Sequence, residues 1–165
     1  GSREERTYVN GVKEGPFVFY FSETGKFKGD KIEGTYVNGV KEGPYVYYFS
    51  NGNRQEGTYE NGVREGPSVY YSSDGSRQEG TYENDVIEGL SVYYYSDGSR
   101  EERTYVNGVK EGPFVYYSSE TGKYKGHREE GTYVNGVKEG PCVYYFSDGS
   151  SQKGTYTNGQ REFNN

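Results

Sequence analysis

Between Gly57 and Glu79 the chain reads GTYENGVREGPSVYYSSDGSRQE, short runs of alternating apolar and polar residues interrupted twice by turn-forming clusters. Asn61-Gly62 offers the two positive-φ residues of a tight hairpin, and Ser73-Asp74-Gly75-Ser76 is a second turn of the same chemistry. Between them, Ser68-Val69-Tyr70-Tyr71-Ser72 is rich in β-formers, and the residues from Arg77 to Glu83 close the unit as another strand. One hairpin of this size cannot bury a face alone, so it must stack on its neighbours.

The neighbours are copies of it. Starts of the Gly-Thr-Tyr type fall at Arg6, Gly34, Gly57, Gly80, Arg103, Gly131 and Gly154, spaced 23 residues apart except for two intervals of 28. Both long intervals have one cause: the short second turn is replaced by SETGKFKGDKIEG from Ser22 and by SETGKYKGHREEG from Ser119. REERTYVNGVKEGPF occurs at Arg3 and again at Arg100, an offset of 97, so a block of four repeats is duplicated. Residues 1–165 therefore read as a single array whose last copy, from Gly154, is truncated. The pattern predicts an all-β fold, an elongated single-layer antiparallel β-meander of stacked β-hairpins. Its two open edges invite pairing into a homodimer.

Strand parity assigns the faces. Val18/Tyr20, Val46/Tyr48, Val69/Tyr71, Val92/Tyr94, Val115/Tyr117 and Val143/Tyr145 recur unchanged, which marks them as the packed face. The opposite face carries the aromatic ribbon Phe19, Tyr47, Tyr70, Tyr93, Tyr116 and Tyr144, flanked by the variable Phe17, Tyr45, Ser68, Ser91, Phe114 and Cys142; it is expected to meet solvent or a partner. The glycine that shares the parity of Tyr59, Gly57, is expected to lie beneath a neighbouring ring.

The succession Asn-Gly, Glu-Gly-Pro, Val-Tyr-Tyr, Asp-Gly, Gly-Thr-Tyr resembles the MORN repeat, in the variant with Gly-Pro ahead of the aromatic strand, from Tyr8 to Gly159. The resemblance implies a hairpin array that serves as a scaffold, docks proteins or binds phospholipid. GTYVNGVKEGP is also similar to the MORN array preceding the SET domain of a histone-lysine methyltransferase, which implies a targeting array for a larger enzyme; no SET domain is present in this sequence. Departures from the pattern are Asp85 for the turn glycine, Leu90 for the proline, and Arg6 and Arg103 for the strand glycine. Asp85 must then adopt a positive φ at about 1 kcal/mol relative to Gly, which makes the fourth repeat the least regular.

Composition narrows the function. Apolar residues are only 30% of the 165, and 21 tyrosines supply much of that, so a thick aliphatic core is unavailable. Gly1-Ser2 reads as a tag-cleavage scar ahead of an excised fragment. One cysteine and no Asn-X-Ser/Thr acceptor favour an intracellular setting, cytoplasm or nucleus. A net charge of −6 argues against nucleic acid and disfavours membrane phospholipid. His127 and Cys142 are isolated, which leaves no catalytic residues, metal site or cofactor to assign. SETGK lacks the remaining residues of a phosphate-binding loop. Glu14, Glu42, Glu65, Glu88, Glu111 and Glu139, one per repeat, read as a solvated row answered by neighbouring lysines.

Two features suit binding. The aromatic ribbon offers amphipathic contact area to a protein or peptide partner. The long turns bring Lys26, Lys28 and Lys31, and Lys123, Lys125 and Arg128, around an aromatic residue for an anionic contact. A non-catalytic protein-interaction scaffold is the expected function, with phospholipid or glycan binding as alternatives; tryptophan, on which sugar stacking relies, is absent.

Overall fold

The computed structural model describes residues 1–164, which contain seventeen β-strands and no helix. They form two compact units: Gly1–Gly75 with Thr81–Val86, and Ser76–Gly80 with the chain from Ile87 onward. The first holds β1 (Arg3–Val9), β2 (Val12–Tyr20), β3 (Lys31–Val37), β4 (Val40–Lys41), β5 (Gly43–Tyr48), β6 (Arg54–Glu60), β7 (Val63–Arg64) and β8 (Gly66–Tyr71). The unit boundary runs through β9 (Arg77–Glu83) and β10 (Val86–Tyr94). The second continues with β11 (Arg100–Val106), β12 (Val109–Tyr117), β13 (Arg128–Val134), β14 (Val137–Lys138), β15 (Gly140–Tyr145), β16 (Ser151–Thr157) and β17 (Gln160–Phe163). Within each unit, strands consecutive in sequence pair antiparallel, giving the meander that the repeats predict.

Each Asn-Gly turn has both residues at positive φ, as in Asn61 (50°) and Gly62 (87°). Asp85 follows suit at 71°. Its turn is nonetheless as regular as the others, because Arg64 holds the aspartate: the Arg64 amide and Nε donate to Asp85 Oδ1 at 2.9 and 3.2 Å.

Glu-Gly-Pro is a bulge. Tyr8 faces Lys13 but Arg6 faces Phe17, so Glu14-Gly15-Pro16 oppose the single residue Thr7, with Gly15 at φ 84°. The bulge frees the glutamate to reach forward to the next hairpin. Asn38 N–H donates to Glu14, Asn61 to Glu42, Asn84 to Glu65, Asn107 to Glu88, Asn135 to Glu111 and Asn158 to Glu139, all at 2.7–2.9 Å. In each of these turns the next residue's amide donates to the preceding repeat's backbone, as Gly62 does to the Lys41 carbonyl at 3.0 Å. The glutamate row is thus the stitching between repeats, which is why it does not vary.

The face assignment needs correction. Residues of the invariant Val/Tyr pairs are only half-buried, and the deepest side chains are the variable ones opposite: Phe17 and Phe114 at 2% exposure, Tyr45 and Cys142 at 3%, Ser91 at 1%. Invariance on the Val/Tyr face has another cause. Each tyrosine there carries a guanidinium or ammonium over its ring, as Lys31 lies over Tyr48 and Arg54 over Tyr71 at 4.4 Å, and Arg100 over Tyr117 at 3.9 Å. The same cations pair with the glutamate two residues on, as in Arg54–Glu56 at 2.8 Å and Arg128–Glu130 at 3.0 Å. Each such stack contributes about 0.5–1 kcal/mol at a wet site, so repetition rather than burial gives this face its weight.

The core lies on the ribbon's face. Phe17, Ile32, Tyr36, Tyr45 and Tyr59 cluster in the first unit, and Phe114, Tyr133, Cys142 and Tyr156 in the second. Rings lie over glycines as expected. A Cβ at Gly34 would come within 2.8 Å of the Phe17 ring, one at Gly57 within 2.8 Å of Tyr45, and one at Gly131 within 2.7 Å of Phe114.

Candidate docking groove

Side chains at Phe19, Phe21, Ile32, Lys41, Tyr45, Tyr47 and Tyr59 share one face of the first unit by strand alternation, and the long turn adds Phe27. That turn folds back through the Phe21 amide donating to the Asp30 carbonyl at 3.0 Å and the Asp30 amide to that of Phe27 at 3.1 Å. Phe27, 47% exposed, then stacks on Phe21 at 5.4 Å. These rings, with Gln55 and Arg64, enclose an open groove of about 450 Å³. Its lining is mostly aromatic; of its polar groups, Arg64 faces Tyr59 across the sheet and Lys41 lies 5.2 Å from the Tyr59 ring, while Gln55 stands in the row of Ile32 and Tyr47.

Of the predicted ribbon, Phe19 and Tyr47 line this groove. Tyr70 lies further along the same face of the first unit, linked by the stack Phe19–Phe21–Tyr47–Phe49–Tyr70, with successive centroids 4.5–5.6 Å apart. Tyr93, Tyr116 and Tyr144 belong to the second unit, where Tyr95 bridges Tyr93 and Tyr116 at 4.7 and 6.1 Å. The ribbon is therefore double. Phe21, Phe49, Tyr95 and Phe146 two residues on have the same parity, a signal that strand alternation in the sequence also carries.

Several ribbon hydroxyls are tethered to the turn seventeen residues earlier. Tyr47 donates to Asp30 at 2.8 Å, Tyr70 accepts from Asn53 at 2.5 Å, Tyr93 meets Ser76 at 3.0 Å and Tyr144 meets His127 Nδ1 at 2.7 Å. Burial, the Asp30 bond and its charge raise the Tyr47 phenol pKa. His127, which sequence placed in a long turn with no role, is thus a ring anchor.

The basic candidates separate. Lys26 and Lys123 lie 5.3 Å from the rings of Phe27 and Tyr124, and Lys28 and Lys125 are exposed on the same turns. Lys31 and Arg128 are not in the turns: they open β3 and β13 on the opposite face. There Glu33 takes Lys31 at 2.6 Å and Glu130 takes Arg128 at 3.0 Å, so both are committed within the sheet. Among the described residues no group of His, Cys, Asp and Glu is placed to hold a metal ion.

The second unit has the same frame with different chemistry. Glu101, 2% exposed, accepts from Tyr133 at 2.9 Å and pairs with Lys138 at 3.0 Å and Arg103 at 3.4 Å. Burial alone would raise the Glu101 pKa, but Lys138, Tyr133 and Arg103 outweigh it and hold the carboxyl low. Glu129 accepts from Tyr156 at 2.7 Å and pairs with Arg161 at 3.0 Å.

Stacked hairpins with a Glu-Gly bulge stitched to the following turn, and an aromatic residue over the strand glycine, define a repeat module. The MORN repeat model matches residues 33–54, 56–77, 79–100 and 130–151, together more than half of the chain, and the chain belongs to this family. Repeats of this family are in general protein- or membrane-interaction modules. No curated protein matches the sequence. Among solved structures, one match is the Drosophila melanogaster SAS-4 (dCPAP) TCP domain in complex with a proline-rich motif of Ana2 (dSTIL). It is 16% identical over 99% of this chain and 89% of that one, with a TM-score of 0.41.

Proposed function

We propose that this chain is a non-catalytic scaffold that docks a protein or peptide partner on the aromatic face of its first unit. The observation that carries the reading is the groove itself. Phe19, Phe21 and Tyr47 are only part-buried along it, and Phe27 on its rim is half exposed although it is the most apolar side chain of its turn. Exposed apolar surface of this kind, rimmed by polar residues, marks a contact surface. Tyrosine and phenylalanine supply area at little entropic cost, and a sheet holds them in place. Membrane phospholipid has less support: two of the six basic candidates are spent in ion pairs on the other face, and the net charge is −6.

A photo-crosslinking amino acid placed at Phe27 tests the reading against one placed at Tyr71 on the opposite face. In lysate of the cells that make this protein, the Phe27 probe is expected to capture a discrete protein adduct that the Tyr71 probe does not. Equal capture at both positions, or none at Phe27, refutes it.

A further inference from the structure

The duplication lets one half of the chain indicate what the other half lacks. At the offset of 97, each residue lining the groove has a counterpart: Lys41 corresponds to Lys138, Tyr59 to Tyr156, Arg64 to Arg161 and Ile32 to Glu129. In the second unit the cations and the phenol are satisfied from within. Arg161 and the Tyr156 hydroxyl converge on Glu129, and Lys138 on Glu101. In the first unit Ile32 has removed the first of these carboxylates. The second, Glu4, is held by Arg6, Lys13 and the Tyr36 hydroxyl. Lys41 therefore makes no ion pair among the described residues, and its ammonium faces the rings of Phe17 and Tyr59 at 5.4 and 5.2 Å. Burial, with the Lys13 charge behind it, lowers the Lys41 pKa. Arg64 is turned aside to Asp85, and the buried Tyr45 hydroxyl has no hydrogen-bond partner.

We propose that the groove of the first unit binds a partner segment carrying an Asp or Glu beside an aromatic or aliphatic side chain. The acid takes the place that Glu129 fills internally in the second unit. There it accepts from the Tyr59 hydroxyl, as Glu129 does from Tyr156; Lys41, whose counterpart Lys138 turns to Glu101, is left to pair with it because Arg64, the counterpart of Arg161, is held by Asp85, and the apolar side chain lies on Ile32 against Phe19, Phe27 and Tyr47. A cation left half-buried among rings costs free energy that an incoming carboxylate recovers, so Lys41 selects for acid while the rings beside it select for apolar surface. The inference rests on the docking reading above and adds the chemistry of the partner.

A displayed library of random dodecapeptides, selected on the whole chain, tests it, followed by affinity measurements with a recovered peptide. Recovered sequences are expected to place Asp or Glu within two positions of an aromatic or aliphatic residue. Lys41→Gln should weaken such a peptide about ten- to a hundredfold, the range for losing a charged hydrogen-bonding partner. Ile32→Glu should do the same while keeping or raising the melting temperature, because it installs the internal carboxylate that the second unit already folds around. Lys26→Gln, outside the groove, should leave affinity within about twofold. Binders that require Phe27 but show no acid preference would overturn this inference and leave the docking reading standing. Failure to recover any Phe27-dependent peptide would overturn both. Unchanged affinity in Ile32→Glu, or equal losses for Lys26→Gln and Lys41→Gln, would overturn the assignment of the acid to this site. Lys41-dependent capture of phosphatidylserine vesicles, with no peptide recovered, would assign the groove to lipid instead.

Discussion

Gly57→Ala is the sharpest test of how the sheet is packed. The added Cβ would stand 2.8 Å from Tyr45 Cε1, 2.9 Å from its Oη and 3.0 Å from its Cζ, inside any real carbon contact. Tyr45 cannot swing aside freely, since it is 3% exposed and stacked on Tyr59 at 4.6 Å. Overpacking of this kind costs about 1–3 kcal/mol. Removing a glycine from the unfolded chain returns about 0.4–1 kcal/mol, which leaves a net loss of about 1–2 kcal/mol. In a unit of this size each kcal/mol is worth about 4–8 °C, so the first unit should melt roughly 5–15 °C lower. Urea unfolding followed by circular dichroism gives the free energy, provided the slope is unchanged. The discriminating measurement repeats Gly57→Ala in a Tyr45→Ser background, where the Cβ meets no ring. There the alanine should be neutral or mildly stabilising, a coupling of about 1 kcal/mol or more. If Gly57→Ala costs the same in both backgrounds, the ring does not impose the glycine and the packing argument fails.

Two further perturbations follow from the same geometry. Glu65→Ala removes the acceptor of the Asn84 amide, bonded at 2.9 Å, and should cost about 0.5–1.5 kcal/mol while speeding hydrogen exchange at Asn84 about tenfold; unchanged exchange at that amide would refute the stitching role. At high pH, burial pushes the Tyr59 and Tyr95 phenols up to about 12 and raises Tyr133 and Tyr156 as well. A phenol whose folded pKa is raised stabilises the fold fully below its unfolded value of about 10, and that stability is lost as pH rises toward 12. Tyrosinate absorbance of these phenols and loss of the sheet's dichroism should therefore coincide in that window, and complete ionisation with the sheet intact would refute it.

The repeats, turns and strand parity were legible because each rests on local chemistry: Asn-Gly fixes the hairpin, and alternation fixes which residues share a face. Which face is buried was not legible from variation. Val69 and Tyr71 recur unchanged because each repeat must present the same ring to the same cation. Phe17, Tyr45, Ser91 and Cys142 vary because a core position can be refilled if its neighbours change with it. The stitching by Glu65 and its equivalents was invisible for a different reason: it joins residues nineteen or twenty-four apart through a bulge that only the pairing register reveals. In the groove, Phe19 and Tyr47 are legible as ribbon members, whereas Phe27 stands in the sequence only as the aromatic residue of a basic turn, because nothing local says that the turn folds back onto the sheet.

The exceptions within the chain support the same physics. Where Phe17, Tyr45 and Phe114 lean on the following strand, that strand has Gly34, Gly57 and Gly131. Arg103 breaks the rule, and its cross-strand partner on β10 is Ser91, a side chain small enough to leave the space that the guanidinium enters. Once buried, Arg103 needs acceptors, and Glu101 and Gln78 provide them at 3.4 and 3.1 Å, although its Nε stays unpaired. Glu101 in turn draws in Lys138 and Tyr133, so one glycine-to-arginine change is tied to a buried ionic network. In the first unit the equivalent cluster of Arg6, Glu4, Lys13 and Tyr36 leaves out Lys41: Tyr45 lies over Gly57, Ile32 stands in the place of the second acid, and Lys41 is left facing rings. The same repeat thus yields a satisfied surface in one unit and an unsatisfied one in the other, and the proposed docking site is the unsatisfied one.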